Sequence, residues 1–161
     1  MIAIITVWLH NMTTNELKID CHPIQLLSVA VKELYIKPNK FPEVNEGDSG
    51  RFSISIGKTD FNEKTSTIGV ALKLEVGTEK CGDADAAPYE MRIELLGTFE
   101  VDTDLFKSEF LEDWSHRNAP YLLFPYLREQ AYALSSRCGF SPMILPLFQV
   151  PTTGASAVER S

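Results

Sequence analysis

Residues 118–151 read NAPYLLFPYLREQAYALSSRCGFSPMILPLFQVP, and the two halves of this stretch obey different rules. The first half predicts a helix. Pro125 is assigned to its first turn, where the missing N–H is not needed, and from Tyr126 nothing interrupts the pattern until Gly139, which suits the left-handed position past a helix end. Leu127, Ala131, Leu134 and Cys138 recur at helical spacing and line one face. Ala131, Ala133, Ser135 and Ser136 are small enough to let a neighbouring backbone approach closely. This face is therefore expected to be packed against, and Leu127, Ala131, Leu134 and Cys138 are the expected oligomer interface. The second half crowds Phe140, Met143, Ile144, Leu145, Leu147, Phe148 and Val150 between Pro142, Pro146 and Pro151, which hold it out of helix. Surface loops are ordinarily polar. A loop this apolar either covers something apolar or offers an apolar surface to a partner.

Four strand signals precede this stretch. Residues Ile24 to Lys37 are rich in strand formers, with a slip in alternation at Lys32 and Glu33 that predicts a bulge. Arg51 to Lys58 and Ile68 to Val76 alternate cleanly, and Tyr89 to Val101 alternates apart from Gly97, where a bulge or bend is expected. No helical pattern separates the strands, which argues for an antiparallel meander or Greek key. Asp102 to Asn118 reads as an amphipathic helix capped by Asp102 or Thr103, with Leu105, Phe106, Phe110, Leu111 and Trp114 as its stripe. The expected fold is α+β, a four-stranded antiparallel sheet followed by helices. Residues 24–151 form the expected domain, with residues 1–23 as an N-terminal extension and residues 152–161 as a flexible tail. Within the extension, Thr13 to His22 is expected to be a short helical turn or irregular.

Composition narrows the function. At 161 residues the chain suits one domain, and its net charge of −7 argues against nucleic acid as the main partner. Cys21, Cys81 and Cys138 are odd in number and widely spaced, which fits reduced thiols and not a disulfide framework or structural zinc. The apolar start MIAIITVWLH is too short to span a bilayer and has no basic region before it, so a cytoplasmic location is expected. His10, His22 and His116 lie in unrelated segments, and no nucleophile motif, phosphate loop or HExxH occurs. Asp102, Asp104, Glu109, Glu112 and Asp113 cluster, but a solvated, well-capped helix explains them without a metal. The expectation is a protein that is not an enzyme, with no cofactor and no metal. What stands out is a surplus of apolar residues, enough for an oligomer interface or for a groove that takes apolar polypeptide.

Asn118 with the run Leu123, Phe124, Pro125, Tyr126, Arg128 and Glu129 resembles the sequence that introduces the long helix of the SecB family of export chaperones. Gly139, Pro142, Leu145 and Pro146 resemble the loop that follows it there, and weaker likeness extends over residues 24–151. The resemblance implies a homotetramer, a dimer of dimers with the long helices between two sheets. It implies an ATP-independent holdase whose grooves bind unfolded or slowly folding polypeptides, bordered here by Tyr121, Phe124, Met143, Ile144, Leu147 and Phe148. It implies no cofactor. Its export role would dock the motor SecA on acidic residues of the outer sheet surface, for which Glu33 is the candidate. Lys37 and Arg92 stand where further acids are expected, and a reversed charge repels a basic partner. SecB-like chaperones dedicated to one partner, such as an antitoxin, are the alternative within the family. A structural oligomer without a client groove is the alternative outside it.

Overall fold

The computed structural model describes residues 3–5, 17–41, 51–82 and 87–148. Its main body is a four-stranded antiparallel sheet of β3 (Ile24–Pro38), β4 (Phe52–Lys58), β5 (Thr67–Val76) and β6 (Tyr89–Val101), in the order β3-β6-β5-β4. Strands β4, β5 and β6 follow as hairpin neighbours and β3 closes beside β6, so the topology is the Greek key and not the simple meander. Before it, β1 (Ala3–Ile5) and β2 (Leu17–Ile19) pair antiparallel, so part of the expected helical or irregular turn is strand.

The alternation of the two central strands sorts their side chains. Ile68, Val70, Leu72, Leu74 and Val76 on β5 are buried, as are Tyr89, Met91, Ile93, Leu95, Phe99 and Val101 on β6. Each such burial contributes about 1.5–3 kcal/mol, so these two strands supply most of the sheet's share of the core. Two helices lie on that face. In α1 (Leu111–Arg117), Leu111 and Trp114 are buried, and the Trp114 ring meets Phe99 edge-on at 5.0 Å. The longer α2 (Ala119–Arg137) runs over β5 and β6.

Three expectations need correcting. The helix predicted from Asp102 begins only at Leu111. The Asp102 carboxylate instead accepts the backbone N–H groups of Asp104 and Leu105, at 3.0 and 3.3 Å, folding the segment into an Asx turn. Leu105 and Phe110 are consequently exposed and do not belong to a buried stripe. The long helix begins before Pro125: Pro120 occupies its first turn, and Pro125 lies inside it and forfeits one helical hydrogen bond. Gly97 makes no bulge. It pairs in regular register with Val29 and Val70, while the irregularities fall on β3, between Leu26 and Ser28 and between Val31 and Glu33. A Cβ at Gly97 would come within 2.6 Å of Leu123 Cδ2, so the glycine lets α2 settle onto the sheet.

Candidate functional site

The end of α2 sets the path of the apolar segment. Gly139 has φ of 83°, its N–H donates to the Ser136 carbonyl at 3.0 Å, and the Phe140 N–H donates to the Ser135 carbonyl at 3.2 Å. This is a Schellman end, which reverses the chain. The following residues run back along α2 and are fastened at several points. Phe140 packs on the Tyr89 ring at 4.8 Å. The Met143 N–H donates to Ser135 Oγ at 2.8 Å, and that buried hydroxyl donates to the Ala131 carbonyl at 2.8 Å. Phe148 stacks on Phe124 at 4.0 Å and meets Tyr121 edge-on at 6.0 Å. Between these points the prolines keep the chain out of helix; Met143 and Leu145 are buried, whereas Ile144 and Leu147 are 70% and 78% exposed.

The side of α2 on which this segment lies follows from helix geometry. Tyr126 and Gln130 line a cavity of about 390 Å³ together with Leu27, Val31 and Leu95, so they look towards β3. Phe124 and Ser135, which hold the segment, project roughly 120–180° further round the helix at about 100° per residue. The segment therefore runs along the flank of α2 that faces away from β3. On β4, Phe52, Ile54 and Ile56 share the helix-side face, and Phe52 and Ile56 are 38% and 41% exposed. Ile144 and Leu147 on the segment, like Phe52 and Ile56 on β4, are apolar side chains left exposed among the described residues.

Of the residues expected at a binding groove, Tyr121, Phe124 and Phe148 come together as one aromatic cluster. Met143 is an anchor buried in the core, Phe124 is buried beneath Phe148, and Ile144 and Leu147 form the surface. The expected oligomer face is placed differently. Leu127 and Ala131 are fully buried in the chain's own core and Leu134 packs against it, while Cys138 is half-buried at the helix end. The spacing identified a packed face, but its partner is the sheet of the same chain. The apolar residues that α2 turns outward are Leu122, Tyr126 and Tyr132.

The opposite face of the sheet carries paired charges. Glu33 accepts a hydrogen bond from Arg92 Nε at 2.8 Å, and the same guanidinium bonds Glu90 and lies 4.0 Å over the Tyr35 ring. Lys32 meets Glu94 at 3.3 Å. The Glu75 carboxylate lies 3.1 Å from Lys80 and 3.5 Å from Lys73. Burial opposes its charge most strongly, but the Lys80 hydrogen bond and the two ammonium charges together hold its pKa below the usual carboxylate value. Glu112 and Asp113, in the acidic cluster, pair with Lys58 and Arg117 at 2.7 Å each. Among the described residues no group of three or more potential ligands gathers as a metal would need, and no helix is long and apolar enough to cross a membrane.

The family model described as preprotein translocase subunit SecB matches residues 20–149. Among solved structures, the chain is similar to a SecB-like chaperone of Mycobacterium tuberculosis, Rv1957, solved in complex with a ChAD peptide from the HigA1 antitoxin. The TM-score is 0.64 at 16% identity, covering 81% of this chain and 94% of that one. A protein of unknown function from Streptococcus agalactiae matches with a TM-score of 0.46 at 12% identity, covering 77% of this chain and 97% of that one. No curated protein sequence matches.

Proposed function

This chain belongs to the SecB family, and on that premise we propose that it is an ATP-independent holdase that binds unfolded or slowly folding polypeptides in the cytoplasm. The observation that carries the reading is the pinned segment after α2, which holds Ile144 and Leu147 outward and exposed. Such a surface binds by burial: each apolar client side chain contributes about 1.5–3 kcal/mol before the cost of ordering the client, so several shallow contacts along an extended segment suffice. No covalent step and no cofactor enters this scheme. The antitoxin peptide bound by the Mycobacterium tuberculosis relative supports a polypeptide as the ligand class.

A homotetramer fits the same reading. Helix α2 is apolar on its outward flank as well as towards the sheet, through Leu122, Tyr126 and Tyr132, and a helix apolar on several sides is one that becomes buried on assembly. A dedicated chaperone of one partner, such as an antitoxin, is favoured over a general export role by the outer face of the sheet. Glu33 is engaged by Arg92, and Glu75, Glu90 and Glu94 have basic partners too, so a basic docking protein such as SecA would meet compensated charge.

Native mass measurement of the assembly purified from its own cells tests both points. A tetramer carrying one small polypeptide is the expected result. A heterogeneous client set would return the protein to general chaperone duty, and a bare monomer would contradict the proposal.

A further inference from the structure

Resting on the chaperone reading above, we propose that Ser135 is a positioning residue for client binding, whose buried hydroxyl fixes the segment after α2 so that Ile144 and Leu147 stand ready as a preformed surface. Ser135 lies near the end of α2 and has no exposed surface. A serine hydroxyl has one proton to give and lone pairs to accept with. The proton goes to the Ala131 carbonyl at 2.8 Å, with the Tyr132 carbonyl at 3.1 Å as a second acceptor within reach. A lone pair receives the Met143 N–H at 2.8 Å. The Ser135 carbonyl also receives the Phe140 N–H at 3.2 Å, so this one residue holds the segment at two points.

Helix propensity alone would place alanine here, because a serine hydroxyl bonded only to its own helix slightly destabilises it. Ser136 shows that case: its hydroxyl donates to the Tyr132 carbonyl at 2.7 Å and has no hydrogen bond to the segment. What distinguishes Ser135 is Met143, which is buried and whose N–H would otherwise lack an acceptor. Pro142 and Pro146 have no N–H to give. Among the described residues, the Met143 bond is the one hydrogen bond that ties residues 141–147 to the rest of the chain.

The consequence is preorganisation. Phe140 on Tyr89 and Phe148 on Phe124 fasten the two ends of the segment by ring contact. The Ser135 hydroxyl fastens it between them, at the residue next to Ile144. With Met143 held inward, Ile144 and Leu147 are displayed before any client arrives. A client then meets an ordered surface, and the cost of ordering it has been met in folding. A segment freed between its ends, and competent about one tenth of the time, would bind about tenfold more weakly, because apparent affinity falls with the competent fraction.

The test is a double-mutant cycle on the full chain, read by titration of a fluorescent unfolded peptide. Ser135→Ala is expected to weaken binding about tenfold in the parent chain. In the background of Ile144→Ser, Leu147→Ser, where no surface is left to position, it should weaken binding by less than about twofold. Ser136→Ala, the control, should bind as the parent does. In the free Ser135→Ala chain, amide exchange at Met143 should quicken by about tenfold or more, while Leu72, buried in β5, changes far less. An equal loss of affinity in both backgrounds would assign the hydroxyl to general core support and overturn the proposal, as would a Ser135→Ala chain that no longer folds. Unchanged affinity of Ser135→Ala for a peptide that the parent binds would overturn the positioning role and leave the chaperone reading intact. Absence of binding by the parent would remove both proposals together.

Discussion

The double variant Ile144→Ser, Leu147→Ser is expected to keep its fold and assembly while its affinity for an unfolded client falls by roughly a hundredfold. Both side chains are largely exposed, so replacing them removes little from the chain's own core. In a complex they are the apolar groups that a client would cover. Losing two such burials, each about 1.5–3 kcal/mol at most and discounted for incomplete coverage, leaves about 3 kcal/mol, or about two orders of magnitude in Kd. Titration of a fluorescent unfolded peptide, alongside a melt of each protein, reads both quantities. Unchanged affinity would remove this surface from the account. Met143→Ser is the contrasting change: Met143 is buried and its N–H is held by Ser135, so stability should fall with affinity.

The largest expected effect on stability lies at the end of β5. Gly77 has φ of 58°, and a Cβ there would lie 2.3 Å from the Tyr89 carbonyl oxygen and 2.6 Å from Ala87 Cβ. Neither is the free end of a flexible side chain, so Gly77→Ala combines left-handed strain with a clash against the start of β6. Together these cost about 2–5 kcal/mol. Gly82 also has positive φ, 77°, but a Cβ there meets nothing within 4 Å, so Gly82→Ala should cost only about 1–2 kcal/mol. Urea denaturation of the two variants and the parent measures the difference. Equal midpoints would contradict the packing described around Tyr89.

These contrasts also explain what the sequence could convey. Strands β5 and β6 are predictable because one face is buried along their whole length, so large apolar residues recur at every second position from Ile68 to Val76. The bulge near Lys32 was visible as a slip in the same alternation. What remained hidden depends on neighbours distant in sequence. Nothing next to Gly97 says that Leu123 will rest on it, so by its local signal the glycine reads as a bulge or bend. The spacing of Leu127, Ala131 and Leu134 gives a packed face but not the ownership of the surface it packs on. At Asp102 the side chain chose the local backbone amides over a helix cap, a competition between two nearly equal uses of the same oxygen. The candidate site divides in the same way. The resemblance points to the segment after α2, whereas the exposure of Phe52 and Ile56 emerges only once α2 is seen to lie over β5 and β6.

That an open apolar surface on this chain holds unfolded polypeptide is tested most directly by light scattering. A chemically unfolded, aggregation-prone protein is diluted into buffer without nucleotide, with increasing amounts of this chain. Scattering should fall in proportion to added protein and be largely suppressed near one assembly per client. Scattering unaffected by a several-fold excess of assembly would contradict the holdase function.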